Sequence, residues 1–319
     1  MELPRIEARG LFVVCDPHVA ASPPGHRLEG YREQVLAKLS ACLDRARELE
    51  CHPVIPGDLF HWPRENPNSL LVELIELFRP QRPTVLPGNH DKYLARFTPD
   101  VSLAVLAAAG AVRLADRPGP AFRLETPSGS VLVGASPDGT PLPRHVERAG
   151  AVETVWFSHH SVGFPDFQEG LVAPRPIEGL DWLINGHIHR PQPMVVKGGT
   201  RWCNPGNVTR LTFTARTRER VPSAWVWRPG AGELERWPVP MRPFAEVFPD
   251  QPFPAEPTAE ESRSLFLKGL ERLALRRTQE GLGLKDFLDA NLNPEDPGTG
   301  LIWELYEEVA GGEKRPRRS

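Results

Sequence analysis

Seven side chains with metal-binding atoms each follow a short apolar run. They are Asp16, His18, Asp58, Asn89, His159, His187 and His189. Carboxylates, imidazoles and amide oxygens bind borderline divalent ions, and seven such groups are too many for one four-coordinate zinc. The set is therefore predicted to hold two divalent ions such as Mn, Fe, Zn or Co. One carboxylate must then bridge the two ions, and Asp58 is the natural candidate.

The apolar runs are predicted to be strands that carry these residues at their ends. The runs are residues 11–15, 52–56, 83–87, 154–158 and 183–185. Helical spacing predicts a helix over residues 31–50 and a second one with Pro67 in its first turn. Strand–helix–strand alternation indicates a partly parallel sheet, whose carboxyl edge is the usual place for a ligand. We also expect the period-2 backbone of a strand to point Asp16 and His18 to the same side.

Six later runs lack intervening helices and are predicted to form an antiparallel second sheet. They are residues 121–126, 130–135, 194–197, 200–203, 224–227 and 233–237. The predicted fold class is therefore α/β, a sandwich of two sheets with flanking helices. Residues 1–240 are predicted to form this domain, residues 241–257 a proline-rich linker, and residues 258–319 a small helical region.

Composition narrows the class of protein and gives little guidance on its substrate. The net charge is -3, so any electrostatic binding of nucleic acid must come from a local basic patch or from bound metals. Four scattered cysteines without CxxC spacing indicate reduced thiols in a cytoplasmic protein. We expect no signal peptide, because the first ten residues contain no apolar run. We also expect no membrane span, because no apolar stretch comes near 18 residues.

The motifs, in chain order, resemble the five blocks of the calcineurin-like metallophosphoesterases. The blocks are Asp16-x-His18, Gly57-Asp58, Gly88-Asn89-His90-Asp91, His159 and Gly186-His187-x-His189. The resemblance covers residues 11–210 and implies a sandwich of two mixed sheets. It implies that one metal is held by Asp16, His18, Asp58 and His189. It implies that the other is held by Asp58, Asn89, His159 and His187, with His160 an alternative to His159.

The same resemblance implies a hydrolytic mechanism with two further catalytic residues. Metal-activated hydroxide would attack phosphorus in line, while the ions stabilise the developing charge. His90 would sit at the scissile phosphate without binding metal and would protonate the leaving oxygen, with Asp91 orienting it.

Two segments resemble the Mre11/SbcD branch of DNA repair exonucleases. They are residues 57–61 with the Pro-Asn-Ser helix start beyond, and residues 203–210, where Asn207 replaces the usual Ser. The helix over residues 31–38 also resembles phage-type members of the group. The branch implies DNA as substrate, manganese as the metal, and His61 near the DNA. His61 is alternatively an ordinary surface or core histidine.

Five arginines in and after the second segment are predicted to grip phosphates. They are Arg201, Arg210, Arg216, Arg218 and Arg220, and the alternative is a solvated hairpin. The branch further implies an SMC-type ATPase partner, grasped by C-terminal helices with Phe266, Leu270 and Leu273 on one face. That face alternatively packs on its own domain or forms a homodimer. Rival functions are a small-molecule phosphodiesterase, a phosphoprotein phosphatase and a non-enzymatic scaffold.

Overall fold

The structure is a computed structural model that describes residues 3–168, 170–253, 300, 302–304 and 306. The strands are β1 (Arg5–Glu7), β2 (Gly10–Val13), β3 (Cys51–Ile55), β4 (Thr84–Val85), β5 (Arg113–Leu114), β6 (Gly119–Thr126), β7 (Gly129–Ser136), β8 (Glu153–Ser158), β9 (Trp182–Asn185), β10 (Gln192–Lys197), β11 (Thr200–Asn204), β12 (Ser223–Trp227) and β13 (Glu235–Pro238). The helices are α1 (Tyr31–Glu48), α2 (Asn68–Phe78), α3 (Ser102–Ala108), α4 (Ala215–Glu219) and α5 (Phe244–Val247).

The first sheet has six strands in the order β13-β12-β2-β3-β4-β5. Strands β2 to β5 pair in parallel, and α1, α2 and α3 connect them, as strand–helix–strand alternation predicts. Helix α1 buries Val35, Leu39, Cys42 and Ala46, which recur every three or four residues. Pro67 is the N-cap of α2 rather than part of its first turn.

The second sheet has seven strands in the order β1-β6-β7-β8-β9-β11-β10. The six runs predicted to form one antiparallel second sheet do pair antiparallel, as β6–β7, β10–β11 and β12–β13, but they do not form one sheet. Strands β8 and β9 lie between β7 and β11, and these four strands pair in parallel. Residues 137–152 and 159–181 make the crossovers, and no helix lies in the described part of either segment. Strands β12 and β13 belong to the first sheet. Two mixed sheets flanked by helices confirm the predicted fold class.

The two sheets pack face to face through one apolar layer. Leu11 and Val13 of β2 lie in this layer with Phe157 of β8 and Ile184 of β9. Phe12, the alternate residue of β2, lies in the layer shared with α1 and α2. Because successive side chains of a strand point to opposite faces, β2 contributes to both apolar layers and lies between them.

Residues 241–253, the first part of the predicted linker, pack against the domain. Phe213, Val247 and Phe248 form a buried cluster with Phe244 and Phe253. The predicted helices of residues 258–319 fall largely outside the described residues, of which 300, 302–304 and 306 are helical. All four cysteines are unpaired and buried. None of the helices in the described part of the chain has the length and apolar character needed to cross a bilayer.

His52 on β3 is a buried histidine that makes the fold sensitive to acid. Its Nε2 lies 2.8 Å from Thr84 Oγ1, and burial, assisted by Arg113, lowers its pKa to about 3. A histidine whose folded pKa is depressed stabilises the fold above its unfolded pKa of about 6.5, and this stability is lost as the pH falls toward the folded pKa.

We therefore expect His52→Gln to remove part of the acid sensitivity of the fold. Between pH 7 and pH 4.5 the free energy of unfolding should fall by about 2–3 kcal/mol less in the variant than in the wild type. Urea unfolding at the two pH values measures this difference, with His26→Gln at an exposed histidine as the control. Equal losses in wild type and His52→Gln would refute the prediction.

Candidate metal centre

The seven predicted metal ligands gather at the carboxyl ends of the parallel strands of both sheets. Asp16 and His18 follow β2, Asp58 follows β3, and Asn89 follows β4. The second sheet contributes His159 after β8, and His187 and His189 after β9. Four of the seven side chains are fully or almost fully buried, namely Asp16, His18, Asp58 and His159. Parallel strands end at one edge of a sheet, which explains the convergence.

One group of ligand atoms comes from Asp16, His18, Asp58 and His189, which all lie within 4.8 Å of one another. His18 Nε2 lies 2.9 Å from His189 Nε2 and 3.6 Å from Asp58 Oδ2. Asp16 Oδ2 is buried and has no hydrogen-bond partner. Paired imidazole nitrogens beside an unpartnered carboxylate oxygen fit a divalent cation, since a buried carboxylate oxygen needs a partner.

A second group of ligand atoms comes from Asp58, His159 and His187, again within 4.8 Å of one another. Asn89 Oδ1 joins them, 3.2 Å from His159 Nε2 and 3.0 Å from His187 Nδ1. His159 Nδ1 donates to the Pro56 carbonyl at 2.8 Å, which leaves Nε2 as the nitrogen that can bind metal. Asp58 belongs to both groups, as the bridging role requires.

His160 lies beside this centre without facing it. Its Nε2 contacts the Thr140 carbonyl at 2.7 Å. The choice between the two adjacent histidines therefore falls on His159, whose imidazole is fully buried within the ligand cluster.

Four of the predicted ligands have left-handed backbone conformations. The φ angles of Asp16, His18, Asp58 and His187 are 46°, 52°, 49° and 73°. Each such residue costs about 1–3 kcal/mol, and such residues cluster at functional sites. The period-2 argument for Asp16 and His18 was wrong, since β2 ends at Val13 and left-handed turns bring the two side chains together.

Gly88 permits the close approach of the third strand end to Asp58. A Cβ at Gly88 would lie 2.1 Å from Asp58 Oδ1 and 2.4 Å from the Asp58 backbone nitrogen. No side chain fits there without moving the shared carboxylate.

We expect Gly88→Ala to lower metal occupancy, because the added methyl group displaces Asp58. Titration of the full-length protein with Mn should show at least about tenfold weaker binding, the size of loss typical when ligand positioning is disturbed. Gly232→Ala is the control, since a methyl group added at Gly232 would point into open space. Unchanged affinity in Gly88→Ala would contradict the close packing of the centre.

Burial and mutual charge set the protonation of the ligands. Burial raises the pKa of Asp16 to about 7. Burial alone would also raise the pKa of Asp58, but His159 and His18 hold it well below its usual range. Burial would lower the pKa of His159, but Asp58 raises it to about 10. The Asp58 carboxylate thus favours the charged imidazole of His159, and metal binding at Nε2 requires that nitrogen to be unprotonated.

His90 is held by a backbone carbonyl, and the predicted role of Asp91 was wrong. His90 Nδ1 donates to the His61 carbonyl at 2.9 Å, and the two imidazole rings stack at 5.2 Å. The buried Asp91 carboxylate accepts hydrogen bonds from three backbone amides, those of Leu59, Phe60 and Gly88. Its oxygens are thereby used to join the two strand-end loops, so Asp91 positions backbone rather than the His90 imidazole.

His61 lies beside His18 and His90, and its predicted role near the substrate stays a prediction. Its Nδ1 is 3.4 Å from His18 Nδ1, and His18, His61 and His90 have ring nitrogens within 4.8 Å of one another. Burial, with help from His90, lowers the pKa of His61 to about 4. The imidazole is therefore neutral at neutral pH and adds no positive charge to the centre.

Arg210 is not placed to bind substrate, which corrects the prediction. Its side chain is 5% exposed, and its guanidinium donates to the carbonyls of Arg218, Arg220 and Arg242. The Arg220 guanidinium likewise donates to main-chain carbonyls, including that of Asn207 at 2.6 Å. These acceptors are distant in sequence or in loops, so the arginine pattern alone could not reveal them. The predicted phosphate-gripping patch therefore loses two of its five members.

A buried polar network behind the centre was not predicted from the sequence. Asn185 accepts a hydrogen bond from Ser158 Oγ and donates to the carbonyls of His160 and Gly186 and to Asn204 Oδ1. Asn204 in turn donates to the Ile188 carbonyl at 2.7 Å. The network ties the loop that carries His187 and His189 to β8 and β11. The only sequence feature that pointed to this network was Asn185, an amide at the end of an otherwise apolar run.

Comparisons with known proteins give structural similarity only. No family model matches the sequence, and no curated protein matches it. A 5′-nucleotidase precursor from Thermus thermophilus is similar over 72% of this chain and 54% of its own, with 16% identity and a TM-score of 0.44. The sulfate thiohydrolase SoxB of Thermus thermophilus is similar over 85% and 62%, with 13% identity and a TM-score of 0.43.

The NAD nucleotidase NadN of Haemophilus influenzae is similar over 95% of this chain and 60% of its own, with 11% identity and a TM-score of 0.43. The chain thus spans 54% to 62% of the length of these three proteins. At these identities and TM-scores the conclusions about function rest on the metal centre itself.

Proposed function

We propose that this protein is a two-metal phosphoesterase that hydrolyses phosphodiester bonds, with DNA as its substrate. The observation that carries the proposal is the placement of Asp58 between two ligand groups. Its Oδ1 lies 3.3 Å from His159 Nε2, and its Oδ2 lies 3.6 Å from His18 Nε2. A carboxylate with one oxygen toward each group is suited to bridge two cations.

The donor set favours manganese or a similar divalent ion, because it mixes imidazole nitrogens with carboxylate and amide oxygens. Bound ions would supply Lewis-acid stabilisation of phosphoryl charge and a lowered pKa of water. Asp16, His18, Asp58 and His189 would hold one of them. Asp58, Asn89, His159 and His187 would hold the other.

His90 is the residue of this chain best placed to handle the proton of the leaving group. The His61 carbonyl fixes the tautomer with hydrogen on Nδ1, so Nε2 is the nitrogen left to exchange a proton with substrate. The His90 backbone N–H donates to Asp58 Oδ1 at 2.9 Å, which holds the main chain of His90 next to the shared carboxylate. Geometry of this kind is what general acid catalysis of alkoxide departure requires.

An exposed tryptophan beside the centre supports a nucleotide-containing substrate. The Trp62 side chain is 45% exposed, and its ring centroid lies 4.5 Å from that of His61. Aromatic faces at nucleic-acid sites stack unpaired bases with little sequence preference. With a net charge of -3, stacking and the bound cations would supply much of the affinity.

We expect Trp62→Ala to weaken single-stranded DNA binding and to spare small substrates. Loss of one stacked base should raise KM for an oligonucleotide about tenfold. KM for bis-p-nitrophenyl phosphate should change little. Steady-state kinetics on both substrates with Mn make the comparison, and Trp62→Phe should restore most of the affinity. Equal losses on both substrates would contradict a base-stacking role.

A small-molecule phosphodiester is the second candidate substrate. It is favoured by the loss of Arg210 and Arg220 from the predicted phosphate-gripping patch, since both guanidiniums are occupied by carbonyls. A small phosphodiester has a single phosphate group, so it needs fewer basic side chains for binding than the sugar-phosphate backbone of DNA.

The proposal is tested by assaying the purified full-length chain with and without Mn. The substrates are end-labelled single- and double-stranded DNA, bis-p-nitrophenyl phosphate and p-nitrophenyl phosphate. DNA cleavage that depends on Mn supports the nuclease. Cleavage of bis-p-nitrophenyl phosphate without DNA cleavage supports the small-molecule phosphodiesterase. Activity confined to the monoester, or none with any substrate, overturns the phosphodiesterase proposal.

A further inference from the structure

A pocket of about 450 Å³ lies against α1, and no residue of the metal centre lines it. Its basic lining residues are Arg27, Lys38, Arg210 and Arg242. Glu33 is its only acidic lining residue among those described. Ala37, Met241 and Val247 contribute an apolar side. The pocket is thus strongly basic in a chain whose net charge is negative.

Three of the basic side chains are buried without a counter-charge. Arg27 and Lys38 are each 7% exposed, and Arg210 is 5% exposed. Among the described residues, none of the three forms an ion pair with a carboxylate. Arg27 donates instead to the Arg210 carbonyl and to Gln34, and Lys38 donates to the Val208 carbonyl. Buried charges are normally paired, because desolvation of a lone ion is costly. The described residues therefore supply no negative charge to neutralise these three side chains.

Donor groups remain for the oxygens of an anion. Arg27 Nη1 and Nη2 each carry two N–H donors and use one of them, on the Arg210 carbonyl and on Gln34 Oε1. The Lys38 ammonium carries three N–H donors and uses one of them, on the Val208 carbonyl. The Arg242 side chain is exposed at the pocket and donates to no acceptor in the described part of the chain. Arginine and lysine groups that converge in this way match phosphate oxygens.

The pKa of Lys38 reflects its burial and the neighbouring cations. Burial, together with Arg27, Arg220 and Arg210, lowers its pKa to about 7. A bound anion would favour the charged ammonium and oppose this shift.

We infer that this pocket binds a small phosphomonoester, whose phosphate contacts Arg27, Lys38 and Arg242 and whose organic group packs on Met241 and Val247. A monocarboxylate carries one negative charge, whereas a phosphate dianion carries two and better matches a pocket with four basic side chains. The volume is typical of pockets for small organic ligands and exceeds what inorganic phosphate needs. The site is separate from the metal centre and does not depend on the proposed hydrolysis.

Calorimetric titration of the full-length protein, dialysed free of divalent ions, tests the inference. The probes are phenylphosphonate, a phosphomonoester analogue that cannot be hydrolysed, inorganic phosphate and benzoate. We expect phenylphosphonate to bind at one site, inorganic phosphate to bind more weakly, and benzoate not to bind. Equal affinity for inorganic phosphate and phenylphosphonate would overturn the claim that an organic group packs in the pocket. Absence of phenylphosphonate binding would overturn the claim that the pocket binds phosphomonoesters.

Variants assign the binding to this pocket. Arg242→Ala, at an exposed residue that the fold does not need, should weaken phenylphosphonate binding at least about tenfold, the loss expected for one charge-assisted hydrogen-bond donor. Lys38→Met should do the same, and Arg79→Ala at an exposed arginine elsewhere should not. Asp58→Asn should leave binding intact. Loss of binding in Asp58→Asn with full binding in Arg242→Ala would place the anion at the metal centre and overturn the inference.

Discussion

Asp58→Asn is expected to abolish phosphodiesterase activity and to prevent the protein from binding two divalent ions at once. The asparagine keeps the size of the side chain and an oxygen that can accept the His90 backbone N–H. It removes the negative charge that both ligand groups share. Paired ions contribute several kcal/mol to transition-state stabilisation, so kcat/KM should fall by about a thousandfold or more. Kinetics on bis-p-nitrophenyl phosphate with Mn, and metal analysis of desalted protein, measure the two effects.

Asp116→Asn is the matched control, since it removes a carboxylate away from the centre. It should retain activity and metal content. Circular dichroism and thermal unfolding should show that Asp58→Asn is folded. A folded Asp58→Asn protein that still binds two ions per chain would exclude Asp58 as the bridge.

The convergence of the ligands could be predicted because it depends on two local signals. Each ligand follows an apolar run, and parallel strands present their carboxyl ends at one edge of a sheet. Asp58 and His159 illustrate the point, since they lie on different sheets and far apart in sequence, yet their side chains are 3.3 Å apart. The helices between β2, β3 and β4 were equally accessible, because α1 and α2 carry clear apolar stripes.

Roles that depend on backbone acceptors could not be read from the sequence. Arg210 looked like a phosphate ligand, but its partners are carbonyls of Arg218, Arg220 and Arg242, and every residue offers the same carbonyl. Asp91 looked like an orienting group for its neighbour His90 because the two are adjacent. Its carboxylate instead accepts amides from two loops, one of them about thirty residues away in the chain.

The assignment of strands to the two sheets could not be predicted for a related reason. The three antiparallel pairs join runs that are neighbours in sequence, so they could be predicted from the short loops between them. Strands β8 and β9 instead enter the second sheet through residues 137–152 and 159–181, whose described parts contain no helix that would mark a parallel crossover. The left-handed conformations of Asp16 and His18 are also invisible to patterns of polarity, because they follow from close contacts made only in the folded chain.

His90→Gln is expected to lower kcat for DNA cleavage by about 10²–10⁴-fold, the usual contribution of a general acid, while leaving two ions bound. The imidazole is held by the His61 carbonyl, so Nε2 is the nitrogen that can deliver a proton to the departing alkoxide. Glutamine is similar in length but cannot supply that proton. Single-turnover cleavage of an end-labelled oligonucleotide and metal analysis measure the two quantities, with His145→Gln at an exposed histidine as the control.

The leaving group separates proton donation from other roles of His90. A p-nitrophenolate ion departs without protonation, so bis-p-nitrophenyl phosphate should be hydrolysed by His90→Gln at a rate close to that of the wild type. If His90 instead positioned the phosphate, both substrates would slow equally. If it were a metal ligand, as its nearness to His18 and His61 allows, the ion content would fall as well. Only a role in proton transfer predicts that the rate loss in His90→Gln increases with the basicity of the leaving oxygen. A more basic leaving oxygen depends more strongly on protonation by a general acid.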